Sequence, residues 1–172
     1  NVINRVAKSL KTLYRRAVID GLIEYRQNPC FGIDIDKPES SNRRSLTAEE
    51  FKRLMALVES APPSARIAAV RIGLVTGMRK GEVLGLTWRA VDLEAGKLSV
   101  NQQFTQDKSL KKPKSKAGNR ILSIDENTVC YLVRWRKEQS LILEMRGIKQ
   151  SLDTPVVNSE NGEFQDPRAF SR

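Results

Sequence analysis

Histidine is absent from all 172 residues, and that one gap removes several chemistries. Without imidazole there is no Ser-His-Asp triad, no Cys-His dyad, no histidine-ligated zinc and no imidazole acid or base. Cysteine is nearly as scarce. Cys30 and Cys130 stand far apart, with neither the spacing of a metal site nor the number of a disulfide framework, which fits a reducing compartment. Long apolar runs are missing too: the longest, residues 67–75, is broken by Arg71 and is too short to cross a bilayer. The first residues carry Arg5, Lys8, Lys11, Arg15 and Arg16 where a signal peptide would need an apolar core. These absences together predict a soluble cytoplasmic protein.

Positive charge is what the chain has in excess. Thirty Lys+Arg against 20 Asp+Glu leave a formal charge of +10, and 40% hydrophobic content is enough for a packed core. A basic globular chain points to a polyanionic partner, nucleic acid first.

Residues 3–18 carry apolar side chains at three- and four-residue spacing and predict an amphipathic helix, with Gly21 as its stop. Residues 32–45 turn polar and read as a linker. Thr47-Ala48-Glu49-Glu50 is a capping box opening a second helix, and Pro62-Pro63-Ser64 separates it from a third, largely apolar one. Beyond Trp88 the period changes. Val91, Leu93, Leu98 and Val100 flank Glu94-Ala95-Gly96 as a hairpin, Arg120–Ile124 predicts a third strand, and a helix resumes from Asp125 toward Gly147. The order predicts an α+β fold, mostly helical, with a small three-stranded antiparallel sheet.

Two features could carry chemistry. Arg79 follows Gly77 between two apolar segments, with Glu82 one helical turn on, so burial and a carboxylate partner are expected. Such an arginine suits either a phosphate clamp or an ion pair that merely fixes the turn. The glycines at 77, 81 and 85 match a small-xxx-small membrane pattern that means little outside a long apolar helix. The second feature is the segment Lys108–Arg120, with five lysines and one arginine between strands, either a phosphate-touching hairpin tip or a solvated loop.

Taken together, Thr76-Gly-Met-Arg-Lys-Gly-Glu-Val-Leu-Gly-Leu-Thr-Trp88, then Val91-Asp-Leu93, then Pro113-Lys-Ser-Lys-Ala-Gly-Asn-Arg120, resembles the tyrosine recombinases of the phage integrase family. Leu46-Thr-Ala-Glu-Glu-Phe51 resembles the entry to that family's catalytic domain, and residues 10–29 the last helix and exit of its core-binding domain. The resemblance implies three segments: 1–31 as the last helix of a core-binding, SAM-like domain, 32–45 as linker, and 46–172 as the N-terminal part of the catalytic domain. It implies site-specific DNA recombination, in which a tyrosine attacks a phosphodiester to leave a 3′-phosphotyrosyl link, with no metal or cofactor. Double-stranded DNA is the implied partner, the full-length protein a homotetramer on it.

By the same resemblance Arg79 matches the first catalytic arginine, Glu82 the acidic residue supporting it, and Lys114 the lysine that protonates the leaving 5′ oxygen, with Lys116 as alternate. Lys80, Lys111, Lys112, Lys116, Arg120, Arg43 and Arg44 are expected to contact DNA. The family's His-x-x-Arg box has no counterpart, and Tyr14, Tyr25 and Tyr131 all precede the nucleophile's place. The reading is therefore of a catalytic domain incomplete at its C-terminal end, a fragment that binds DNA with half an active site and is inactive alone. A non-catalytic DNA-binding remnant or regulator derived from an integrase is the alternative.

Overall fold

The N-terminal periodicity becomes helix α1, Val2–Ile19. It ends where Gly21 takes a left-handed conformation, φ +70°, and the Leu22 N–H reaches back to the Ala17 carbonyl at 2.9 Å. A single turn of 3-10 helix follows at Tyr25–Gln27, and Tyr25 meets Phe31 edge-on at 4.9 Å. The structure, a computed structural model, describes residues 2–32, 44–112 and 119–171. The chain divides into two units, Asn1–Leu46 and Thr47–Arg172.

The second unit opens with α2, Ala48–Ser60, and both halves of its capping box form: the Glu50 N–H donates to Thr47 Oγ1 at 3.2 Å and the Thr47 N–H to the Glu50 carboxylate at 2.9 Å. Ser64 caps α3, Ala65–Thr76, whose side chains are all at least half-buried except Arg66. Gly77, in the left-handed region at φ +65°, turns the chain from α3 into α4, Lys80–Leu84. Among the described residues, five short strands follow: β1 Val91–Asp92, β2 Lys97–Val100, β3 Gln103–Phe104, β4 Leu110–Lys111 and β5 Arg120–Ser123. The long helix α5, Glu126–Glu144, is capped by Asp125.

The strands form two antiparallel sheets. One has the order β1-β2-β5, with Val91 opposite Leu98 and Val100 opposite Arg120; the other is the β3–β4 hairpin. The three-stranded sheet is the expected one. The hairpin is not, because residues 108–120 read as a single basic loop, whereas Leu110 and Lys111 pair with Phe104 and Gln103. Strands of two residues leave too little alternation to read.

The core gathers Ile72 from α3, Leu84 from α4, Leu98 from β2, Leu132 from α5 and Trp88, each 0–1% exposed. Each such side chain contributes about 1.5–3 kcal/mol by burial. Gln139, fully buried, binds the segment after α5 to this core. It accepts from Trp88 Nε1 at 2.6 Å and donates to the Pro155 carbonyl at 2.9 Å, while Trp135 Nε1 donates to the Val156 carbonyl. Among the described residues no buried side-chain nitrogen or oxygen lacks a partner.

Gly81 and Gly85 lie against the β3 backbone. A Cβ on Gly85 would stand 2.8 Å from the Phe104 nitrogen, and one on Gly81 3.0 Å from the Phe104 carbonyl. The glycine spacing lets α4 lie directly on the β3 backbone, which is a packing role inside a globular unit rather than a membrane one.

Candidate functional site

Helix α4 is short, and its first turn is built around one carboxylate. Glu82 stands at the third helical position, where its carboxylate accepts the otherwise unpaired Arg79 N–H at 3.0 Å. The same carboxylate accepts Arg79 Nη1 at 3.1 Å, Arg120 Nη2 at 2.7 Å and Arg120 Nη1 at 3.3 Å. A 4% exposed carboxylate side chain is thus held by two guanidinium groups. The Arg120 hydrogen bond is the main force pushing the Glu82 carboxyl down to about 2; burial opposes it, and the Arg79 backbone and side chain add to it. Glu82 is charged at every physiological pH.

The distribution of burial corrects the sequence reading. Arg79 was expected to be the buried partner, yet its side chain is 77% exposed and it is Glu82 that sinks into the core. Helical spacing puts the two on one face but does not say which lies deeper. The arrangement holds one edge of the guanidinium from below and leaves the rest of the group facing outward, a geometry suited to a phosphate oxygen.

Lys80 donates to the Pro167 carbonyl at 3.0 Å. Lys111 and Asp107 pair at 2.5 Å, and Lys108, with φ +56°, pairs with Asp166 at 3.0 Å. Lys111, with Thr105 and Ser109, holds the exposed Asp107 carboxyl well below the usual carboxylate range. Carboxylates therefore compensate part of the basic segment's charge. Lys112 is exposed. Arg120 starts β5 with its guanidinium on Glu82, a contact across 38 residues that local spacing could not reveal. Arg44 belongs to the first unit and reaches the Ser45 carbonyl at 3.4 Å. Lys114, Lys116 and Arg43 lie outside the described residues.

Tyr131 is 1% exposed, its hydroxyl accepts the Ser64 N–H at 3.3 Å, and burial raises its phenol's pKa. It is a packing group, with the guanidinium of buried Arg71 over its ring at 5.4 Å and that of exposed Arg134 at 5.9 Å. A cleft of about 570 Å³ lined by Phe104, Lys108, Asp153, Phe164 and Asp166 contains neither Arg79 nor Glu82. Among the described residues no group of three or more Cys, Asp or Glu is placed to hold a metal ion, and no helix is long and apolar enough to cross a membrane.

Comparison with known proteins places the α4 turn and the sheet within a single matched region. The model of the phage integrase family matches residues 44–146, more than half of the chain. The ICEBs1 integrase of Bacillus subtilis (strain 168) is 25% identical over 157 residues, covering 90% of this chain and 42% of that protein. A XerC-like tyrosine recombinase of Caldanaerobacter subterraneus subsp. tengcongensis is 28% identical over 149 residues, covering 76% and 37% respectively. The chain thus spans about two fifths of the length of these curated relatives. Among solved structures, the Tn1549 transposon integrase in complex with a circular intermediate DNA superposes with a TM-score of 0.69 at 22% identity, over 95% of this chain and 53% of that one. At that identity the likeness concerns the fold, a mixed helical domain with a small antiparallel sheet.

Proposed function

We propose that this chain, which belongs to the phage integrase family, is part of a site-specific DNA recombinase: it binds duplex DNA and supplies the arginine side of the phosphoryl-transfer site. One observation carries the reading, the exposed Arg79 guanidinium tethered at one edge to the buried Glu82 carboxylate. In the reaction a tyrosine oxygen bonds to a DNA phosphorus while the bond to the 5′ oxygen breaks. The departing oxygen takes up a proton, and the protein is left joined as a 3′-phosphotyrosine. Negative charge gathers on the non-bridging oxygens as the phosphorus becomes five-coordinate, and fixed N–H donors stabilise that charge more than they stabilise the ground state. Arg79 is suited to this because Glu82 fixes its position before DNA arrives.

Lys114 is assigned the proton donated to the 5′ oxygen, with Lys116 as alternate; a primary amine on a polar segment suits general-acid work at a closing interface. Lys80, Lys111, Lys112, Arg43 and Arg44 are assigned backbone contacts. No attacking role falls to Tyr14, Tyr25 or Tyr131. Residues 1–31 are read as the end of a core-binding domain and residues 46–172 as catalytic domain, with the full-length protein working as a tetramer on duplex DNA in the cytoplasm. The DNA complexes of Tn1549 integrase support duplex DNA as the partner.

The test uses fluorescence anisotropy of the purified chain with a labelled duplex of about 30 base pairs. Binding should weaken steeply between about 50 and 200 mM salt, as phosphate neutralisation requires. No SDS-resistant adduct should form. Absent or salt-insensitive binding, or a covalent adduct with this chain alone, contradicts the assignment.

A further inference from the structure

We propose that Arg120 is a positioning residue for Arg79, acting through the Glu82 carboxylate that the two arginines share. The inference rests on the reading of Arg79 as a phosphate clamp.

Arg120 stands at the start of β5, 38 residues along the chain from the helical carboxylate it meets. Its Cα is paired with Val100 in the β2–β5 ladder, and Val100 is 2% exposed, so the base of the side chain is set by the sheet. From there the guanidinium meets Glu82 end-on with two donors, at 2.7 and 3.3 Å. Arg79 gives the same carboxylate one side-chain donor, at 3.1 Å. The stronger, two-pronged contact therefore belongs to the arginine that is 29% exposed, and the weaker one to the arginine that is 77% exposed.

Two consequences follow from charge and geometry. An Arg79–Glu82 pair alone is neutral, and an incoming phosphate would meet a cation already cancelled at contact distance. With Arg120 the cluster carries +1, so the exposed end keeps a net attraction for an anion. In addition, a carboxylate occupied by a two-pronged partner cannot rotate to take Arg79 in the same way. Arg79 is held by one edge, and its remaining donors stay directed outward.

The test compares wild type, Arg79→Ala, Arg120→Met and Arg120→Lys in the full-length protein. The readout is the rate of covalent adduct formation on a duplex recovered by selection from a randomised pool. Each variant is assayed with an ordinary scissile phosphate and with a methylphosphonate, which lacks one charged oxygen. On the phosphodiester, Arg120→Met should slow adduct formation by roughly 10- to 100-fold, less than the loss of the phosphate-facing donor itself, because Arg120 acts only through Arg79. Arg120→Lys should recover part of the rate, keeping the charge without the fork. On the methylphosphonate both the Arg120→Met and the Arg79→Ala deficits should shrink together, because less charge needs neutralising.

A merely structural role predicts the same deficit on both substrates, and that result overturns the proposal. So does an unchanged rate for Arg120→Met. A binding curve whose salt slope falls by about one phosphate contact would instead make Arg120 a direct DNA ligand and also overturn it. If Arg120→Met melts below the assay temperature, Arg120→Lys carries the same two-substrate test. Failure of the wild-type protein to form any adduct counts against the recombinase reading itself and is distinguishable from all of these.

Discussion

Two arginines in this fold meet a glutamate in opposite ways. Arg71, on α3, is 2% exposed, donates to Thr128 Oγ1 at 3.1 Å, lies over the Tyr131 ring and reaches Glu59 at 3.5 Å, whose side chain is half-exposed. Arg79, one short turn later, is itself exposed, and the buried member is Glu82. In the first arrangement the cation is spent on the interior; in the second the anion is, and the cation is presented. Burying the carboxylate is the costlier choice unless it is fully hydrogen-bonded. Glu82 meets that requirement with two guanidinium groups and a backbone N–H. The difference identifies which arginine is available to a ligand.

That contrast can be broken at either end. Arg79→Ala in the full-length protein should lower the rate of DNA cleavage by about 10²- to 10³-fold, the scale for losing one fixed transition-state donor. Its urea-unfolding stability should fall by only about 1–2 kcal/mol, because Arg120 and the backbone N–H at position 79 still hold the buried carboxylate. Arg71→Ala should do the reverse. It should cost about 2–5 kcal/mol of stability by removing a large buried side chain and its bond to Thr128, measured by the same urea titration.

Acid offers a second way to separate the two. The Glu82 carboxyl has a folded-state pKa of about 2 against an ordinary value of 4.5. A lowered folded pKa means stability that is fully present above about 4.5 and is lost as pH falls from there toward 2. The contribution is on the order of 3 kcal/mol. Urea midpoints measured across this window should fall more steeply for the wild type than for Glu82→Gln, which should already be destabilised at neutral pH.

Smaller effects test the support beneath the site. Gly85→Ala places a Cβ against the Phe104 backbone nitrogen and should cost about 1–3 kcal/mol, because backbone cannot swing aside as a side chain can. Gly73→Ala, in the body of α3 with nothing within 4 Å of the new carbon, should stabilise by about 0.5–1 kcal/mol in thermal or urea unfolding.

What was legible in the sequence was local. Thr47 with Glu50, Ser64 and Asp125 cap the helices they were expected to open, because capping depends on a side chain bonding a backbone group two or three residues away. The β1–β2 hairpin likewise followed from alternating apolar residues around Gly96. What was not legible depends on contacts between distant segments. The β3–β4 hairpin consists of two-residue strands closed by Thr105, Asp107 and Ser109, polar residues that also suit a loop. The Glu82–Arg120 pair joins a helix to a strand 38 residues away, and the inversion of burial between Arg79 and Glu82 follows from that pair. Gly81 and Gly85 were visible as a spacing, but the β3 backbone that requires them lies in another element.

The proposed site requires Arg79 to face phosphate while Arg71 stays within the interior. The most direct measurement follows the arginine side-chain Nε–Hε NMR signals of this chain as duplex DNA is added. The Arg79 signal should shift with the binding isotherm while the Arg71 signal stays in place. An Arg79 signal that remains still at saturating DNA, or an Arg71 signal that moves as far, would contradict it.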